Sequence, residues 1–266
     1  GGFVWEARGA VTHPFSTRQI PFYLTASGPC PYLKGKQERK LFTRLDPSDG
    51  PGLNDALTHA GFRRSQGVLY RPACEMCDAC HSARIPVRDF DWTRSFRRVL
   101  KRNDHLTREE KPAEATAEQY ALLTRYLDSR HGDGDMAGMS YGEFVLMVED
   151  GAQRTDIVEY RDDAGQLRAA ALVDRLRDGP SLLYSFFEPD DTGRSPGTFM
   201  VLDAVRWSAA GGFSNVYLGY WVPGSRKMDY KSRFRPLEVL TSVGWQSLET
   251  MFDDTGLEPG ADEGED

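Results

Sequence analysis

The stretch Asn215–Leu240, NVYLGYWVPGSRKMDYKSRFRPLEVL, restricts the fold of this chain more than any other segment. The run Val216 to Val222 carries no charge and is rich in aromatic and β-branched side chains, which reads as a strand. Pro223-Gly224 ends it. Arg226, Lys227, Asp229, Tyr230, Lys231, Arg233 and Arg235 crowd the segment that follows. A strand that runs into a loop full of cations and rings suits an anionic, ring-bearing ligand better than it suits a core. The competing reading is a strand followed by a solvated basic loop.

A chain of 266 residues makes one large domain or two small ones and can bury a real core. The hydrophobic fraction of 39% and charged fraction of 27% are those of a soluble globular protein. No apolar run approaches the ~18 residues needed to cross a bilayer, so no membrane partner is expected. Residues 1–19 lack the apolar centre of an export signal, and a cytoplasmic location follows as an expectation. The net charge of -7 is misleading, because residues 249–266 hold eight acidic residues and no basic one. That tail is expected to be disordered. The remaining body is near neutral with clustered cations, which leaves room for an anionic partner such as RNA.

In the N-terminal part, residues 1–81, a flexible start over 1–21 is expected. Phe22–Leu33 is broken by Gly28-Pro29 and Pro31, which puts Cys30 in a turn. A basic patch, Lys34–Lys40, precedes a strand at Leu41–Leu45. Leu53–Ala60 reads as a helix ended by Gly61, and Phe62–Pro72 as two strands around Gly67. In the second part, residues 82–248, a strand at Ala83–Val87 precedes a basic helix over Trp92–Leu106. Thr116 with Gln119 opens a helix that runs to Arg130, and Ser140 with Glu143 opens another that ends near Gly151. A loop at 132–135 separates these two helices. Strands at Asp156–Arg161, Leu167–Leu176 and Leu182–Phe187 precede a helix from Pro196 to Ala210. The Val216–Val222 strand, a short helix or loop, and a strand near Leu237–Val243 complete the order. The expected class is α+β, with a small Cys-containing N-terminal domain followed by a GNAT-like acyltransferase domain. The likeness is one of topology and does not by itself assign a reaction.

All four cysteines, Cys30, Cys74, Cys77 and Cys80, lie in the N-terminal part. Cys74-x-x-Cys77-x-x-Cys80 lets one turn converge three soft ligands, and Cys30 can supply a fourth. Four such ligands complete a tetrahedral zinc site or hold an iron–sulfur cluster. The alternative is free thiols with Cys30 elsewhere. His81 is a further ligand candidate beside Cys80, or a hydrogen-bonded surface histidine.

Arg94–Arg108 contains six Arg or Lys and one Asp, with Phe96, Val99, Leu100 and Leu106 at near-helical spacing. One face packs and the other presents Arg97, Arg98, Lys101 and Arg102, either to solvent or to an anion. Acyl-CoA users of the GNAT fold bind pyrophosphate through a Q/R-x-x-G-x-G/A turn. Here Arg194-Ser195-Pro196-Gly197-Thr198-Phe199 puts a bulky ring where a small residue is wanted, which disfavours CoA. An acyl group carried on tRNA is compatible with the basic surfaces.

Several stretches together resemble the aminoacyl-tRNA–protein transferases of the N-degron pathway. They are Cys30-Pro31-Tyr32; Gly61-Phe62-Arg63-Arg64-Ser65 with Tyr70-Arg71-Pro72; Cys80 through Arg84; and Ser95 through Arg102. Further on come Tyr184-Ser185-Phe186-Phe187-Glu188-Pro189, Tyr217-Leu218-Gly219-Tyr220, Lys227-Met228-Asp229-Tyr230-Lys231 and Arg235-Pro236. The first cysteine turn resembles that of the bacterial leucyltransferase branch, which is similar to the eukaryotic arginyltransferases. The eukaryotic pattern has a C-x-x-C pair and adjacent cysteines. Here Leu33 and Ala79 stand at two of those places, and Cys74 and Cys77 can restore the ligand count.

The resemblance implies transfer of leucine from Leu-tRNA to the α-amine of proteins that begin with Asp or Glu, which marks them for degradation. Its partners are aminoacyl-tRNA and those acceptor proteins, and the transfer itself needs no cofactor. Glu188 is the candidate for binding the α-ammonium or taking its proton, with Lys227 beside it as catalytic. Asp229, Lys231 and Arg235 are candidates for contact with the acceptor or the tRNA end, and Tyr184, Tyr217 and Tyr220 for lining the aminoacyl pocket. Structural ion pairs and core tyrosines are the competing readings. The alternatives in function are arginyl transfer to the same acceptors and a non-catalytic RNA-binding or metal-sensing protein.

Overall fold

In the computed structural model, which describes residues 19–46, 50–130, 136, 138–150 and 154–253, a small N-terminal unit stands on a large mixed sheet. The small unit comprises β1 (Tyr23–Leu24), β2 (Gly28–Pro29), β3 (Gln37–Glu38), β4 (Lys40–Arg44), α1 (Gly50–His59), β5 (Arg63–Ser65) and β6 (Val68–Pro72). Its antiparallel sheet runs β1-β4-β6-β5, and β2 pairs with β3 apart from it. Gly61 ends α1 with φ +87°, so that Phe62 N donates back to Leu57 O at 2.9 Å. Leu45, Phe62 and Leu69 form a modest core there.

The second unit contains β7 (His81–Pro86), α2 (Arg94–Arg102), β8 (Thr107–Pro112), α3 (Ala117–Ser129), α4 (Tyr141–Glu149), β9 (Thr155–Arg161) and β10 (Leu167–Leu176). It continues with β11 (Gly179–Phe187), α5 (Pro196–Ala210), β12 (Asn215–Trp221), β13 (Glu238–Thr241), β14 (Gly244–Ser247) and α6 (Leu248–Asp253). The eight strands run β14-β13-β7-β12-β11-β10-β9-β8. Strand alternation divides the core in two. Ala169, Ala171 and Val173 of β10 face α2 and α5, while Ala170 and Leu172 face α3 and α4. The expected α+β class and order of elements are present. Both expected capping boxes form, Thr116 with Gln119 and Ser140 with Glu143.

β12 is buried at every position. Val216, Leu218 and Trp221 join the core under α5. Tyr217 and Tyr220 reach the small unit instead: the Tyr217 hydroxyl sits 3.1 Å from His59 Nε2, and that of Tyr220 lies 2.9 Å from Tyr70 O and 3.0 Å from Gly61 O. The most deeply buried ion pair between the units is Arg64 with Asp174, at 2.6 and 2.7 Å, each side chain 1% exposed. Asn54 and Thr155 occupy further lone pairs of the same carboxylate at 2.8 and 2.7 Å.

Four expectations need correction. Thr107–Pro112 (TREEKP), not foreseen as a strand, pairs with β9 at the edge of the sheet. Its charges are met by neighbouring strands, Glu110 by Arg175 and Lys111 by Glu159, so it needs no apolar pattern. The basic helix is shorter than Trp92–Leu106, because the Thr93 hydroxyl caps Phe96 N at 3.2 Å and the Asn103 amide folds back onto Val99 O at 2.9 Å. The last strand is a hairpin of two, β13 and β14. The acidic tail does not begin as disordered chain at Glu249: that residue lies in α6 and pairs with Arg235 at 3.7 Å. Residues 254–266, the start over 1–18 and the loop at 132–135 lie outside the described residues.

Asp174→Ala leaves the Arg64 charge buried without its partner. The expected cost is about 3–5 kcal/mol, read as a lower urea midpoint with an unchanged slope. The double replacement Arg64→Leu/Asp174→Leu should recover much of that loss.

Candidate functional site

The strands of the large sheet are antiparallel neighbours except β11 and β12, which run parallel with a single register pair, Ser181 with Tyr217. Beyond that pair they part, and main-chain carbonyls on both edges lose their ladder partners. Arg63 of β5 enters the opening. Its Nη2 donates to Leu183 O at 2.5 Å and its Nη1 to Leu218 O at 3.4 Å. Gly219 makes this approach possible: with φ +73°, a Cβ there would stand 1.3 Å from Arg63 Nη1. The pairing of β12 with β7 shifts register between Tyr217 and Gly219, which turns both Tyr217 and Tyr220 toward the small unit.

After β12 the chain reverses, and a short 3-10 turn, Asp229–Arg233, brings Lys231 back under the strand. Lys231 is 4% exposed and its Nζ donates to Tyr220 O at 2.5 Å. Burial, aided by the nearby Arg63 charge, pushes its ammonium down to about 7. Tyr230 beside it is 47% exposed and feels the charges of both Arg63 and Arg130. Across the opening, burial and then the neighbouring Tyr126 raise the Tyr184 hydroxyl to about 12, against the Arg130 charge. Arg130 lies over the Tyr126 ring at 4.6 Å, and that ring meets Phe187 edge-on at 4.8 Å. Among the described residues, Arg63, Arg130 and Lys231 have no carboxylate within ion-pair distance. The opening is therefore a cleft of aromatic rings and unneutralised cations.

Of the residues singled out in the sequence, the structure brings Tyr184 and Lys231 to this cleft. Glu188 lies where β11 ends, held by Arg125 at 2.9 and 3.2 Å. Lys227, Asp229 and Arg235 are exposed on the segment leading away from β12, Arg235 tied to Glu249. The Tyr220 hydroxyl is spent on Gly61 O and Tyr70 O of the small unit, and that of Tyr217 is shared between Asp178 Oδ2 and His59 Nε2, so both hold the wall without offering a polar group to a ligand. Sequence reading assigned no part to Arg63, Arg130 or Tyr126. The Gly61–Ser65 motif carried a signal for Arg63, but a strand arginine shows no target until the sheets are docked.

Arg97, Arg98, Lys101 and Arg102 are exposed on α2, while Phe96 and Val99 are buried beneath them. The end of α2 is joined to the turn before α5: Arg194 Nη1 donates to Arg102 O at 2.8 Å and Asn103 Nδ2 to Arg194 O at 2.8 Å. In that turn Ser195 is left-handed, φ 54°, and Phe199 is buried in the core at 3% exposure. The ring thus fills the place where a pyrophosphate cradle needs a small residue.

The four cysteines surround one cavity of about 630 Å³, with Tyr32, Tyr70, His81 and Tyr220 in its wall. Burial first, then the neighbouring Cys30, Cys74 and Cys77, push the Cys80 thiol up to about 12. A cation bound among them would reverse that direction, because it stabilises thiolates. Among the described residues the one group of three or more ligating side chains with atoms within 4.8 Å of one another is Asp55, His59 and Asp178. His81 Nδ1 lies 3.3 Å from Leu240 O.

A family model for the N terminus of arginine-tRNA-protein transferase matches residues 28–98, and one for its C terminus matches residues 118–241. An aspartate/glutamate leucyltransferase of Maricaulis maris is 64% identical over 236 residues, 89% of this chain and 93% of that protein. One of Caulobacter vibrioides is 54% identical, covering 90% of this chain and 87% of its own. Among solved structures, the crystal structure of FemX aligns with 77% of this chain and 81% of its own at 10% identity and a TM-score of 0.44.

The buried Lys231 makes stability depend on pH. In the unfolded chain a lysine keeps its proton to about pH 10.4, whereas here it is lost at about 7. Between those values the unfolded state holds more protons, so the cost of burial is full below the lower value and fades as pH rises through the window. Lys231→Met is expected to raise Tm at neutral pH and to raise it much less at about pH 10, followed by thermal unfolding across that range.

Proposed function

The chain belongs to the arginine-tRNA-protein transferase family, and from that premise we propose that it transfers leucine from Leu-tRNA to the α-amine of proteins beginning with Asp or Glu. The observation that carries the reading is the cleft between β11 and β12, where rings and unpaired cations suit an aminoacylated adenosine and an acidic acceptor. Leucine as donor is supported by the names of the Maricaulis and Caulobacter relatives. The product is a protein with a new N-terminal leucine, a mark for degradation. Charged tRNA is a cytoplasmic molecule, which supports a cytoplasmic site of action. Among the described residues no helix is long and apolar enough to cross a membrane.

The chemistry asks little of the protein. The aminoacyl ester is already activated, so a neutral amine attacks its carbonyl carbon. The C–N bond forms, the ester C–O bond breaks, and the terminal ribose hydroxyl of the tRNA leaves with a proton. The protein must orient the two reactants and stabilise the oxyanion. Tyr184, Tyr126 and Phe187 suit the leucyl side chain or the terminal adenine. Glu188, at the end of β11, is the group suited to relieve the acceptor ammonium of its proton, while the buried Lys231 supports the edge of β12 through Tyr220 O. Lys227, Asp229 and Arg235 stand at the rim, and Tyr217 and Tyr220 act by holding the small unit in place. The exposed row Arg97, Arg98, Lys101 and Arg102 supplies a phosphate-binding face continuous with the turn before α5.

The family resemblance also implies a metal centre, and the cysteine cavity fits one in donor type. The four soft thiols converge on one space. Zinc sites more often use two separated pairs, whereas a run such as Cys74-x-x-Cys77-x-x-Cys80 is more typical of iron–sulfur ligation, which favours a cluster held by Cys30, Cys74, Cys77 and Cys80. Such a group would supply structural ties or redox sensitivity, and the transfer reaction does not pass through it.

The deciding experiment supplies one tRNA pool charged with leucine or with arginine and an Asp-initiated reporter. Leucine should be transferred and arginine should not, and Glu188→Gln should lower the rate strongly without unfolding the protein. Binding of RNA without any modification of the reporter would overturn the reading. Anaerobically prepared protein should contain iron and absorb in the visible, and Cys74→Ala should abolish both.

A further inference from the structure

Arg63 and Arg64 are adjacent in β5 but have opposite surroundings. Arg64 is neutralised by Asp174 at 2.6 and 2.7 Å in a site closed to water. Arg63 is half-buried, is met only by the carbonyl oxygens of Leu183 and Leu218, and has no carboxylate partner among the described residues. A guanidinium carries five N–H donors, and two carbonyls leave its charge unbalanced and its remaining donors available. An unpaired half-buried charge is costly unless a ligand completes it.

Other cations nearby are less suited to the same task. Lys231 is 4% exposed and its Nζ is given to Tyr220 O. Arg235 is paired with Glu249, and Lys227 lies out in solvent. The exposed face of α2 offers its cations to tRNA phosphates, whereas Arg63 is half-buried between the strand edges, on Leu183 O and Leu218 O. Tyr230 lies within electrostatic reach of both Arg63 and Arg130.

We propose that Arg63, inserted between the diverging β11 and β12, recognises the side-chain carboxylate of the acceptor's N-terminal Asp or Glu and so determines acceptor specificity. The inference rests on the transferase reading above and adds to it the residue that reads the acceptor. It also explains why the small unit must dock before the site is complete: one of its strands supplies the recognition group. Gly219 is then a specificity element as well, since any side chain there would occupy the guanidinium's place.

The test uses the full chain, Leu-tRNA and short peptides that begin with Asp, Glu or Asn. Arg63→Gln is expected to raise KM for the Asp and Glu peptides by roughly tenfold or more, to leave KM for Leu-tRNA unchanged, and to collapse the preference for Asp over Asn. Arg63→Lys should restore part of that preference. An Asp-to-Asn ratio equal to wild type, or a KM increase confined to Leu-tRNA, would overturn the assignment. Should Arg63→Gln not fold, phenylglyoxal labelling of the wild-type protein replaces it. An Asp peptide should protect Arg63 and an Asn peptide should not, and equal labelling with both would sink the idea. Wild-type protein that modifies no acidic peptide overturns the transferase reading and the assignment with it; active wild type with an unaltered ratio in the variant overturns the assignment alone.

Discussion

A guanidinium and a carboxylate sealed from water, Arg64 and Asp174, set where the small unit stands on the large sheet. Burying both charges is expensive, and their attraction offsets that cost only when the remaining lone pairs are satisfied. Asn54 and Thr155 satisfy them, one from each unit, so the network tolerates little displacement. Its consequence lies one residue away. With Arg64 locked, Arg63 has one place to go, into the opening between β11 and β12.

That opening is itself a result of strand geometry. A parallel pair within an otherwise antiparallel sheet requires a crossover, which α5 provides, and the two strands share one register pair before they part. Their freed carbonyls must find donors. Arg63 serves Leu183 and Leu218, and Lys231 serves Tyr220. The cations that satisfy these backbone carbonyls also leave positive charge in the cleft. Tyr217 and Tyr220 complete the seam, fastening β12 to α1 and β6.

Much of the fold was legible because local chemistry marks it. The capping boxes at Thr116 and Ser140, the glycine that ends α1 and the alternating strands β9, β10 and β11 act over a few residues and carry their own signals. β8 did not, since a charged edge strand is stabilised by ion pairs to its neighbours and not by an apolar pattern. The cleft was half legible. Lys231 and Tyr184 belonged to segments dense in cations or rings and were named as candidates. Tyr217 and Tyr220 belonged to the same kind of segment, yet their hydroxyls turn away from the opening, because a register shift at Gly219 reverses which face they occupy.

The amino-acid order by itself determined the class of fold, the family likeness, the cysteine grouping and the basic face of α2, since each is written in spacing or composition along the chain. Only the tertiary structure decided which cations remain unpaired. Arg63 and Arg64 are identical neighbours in sequence, and alternation along a strand sends their side chains to opposite faces. One meets Asp174, more than a hundred positions away, and the other meets two carbonyls at the edge of a parting sheet. Charge compensation is a property of neighbours in space, and no local pattern encodes it.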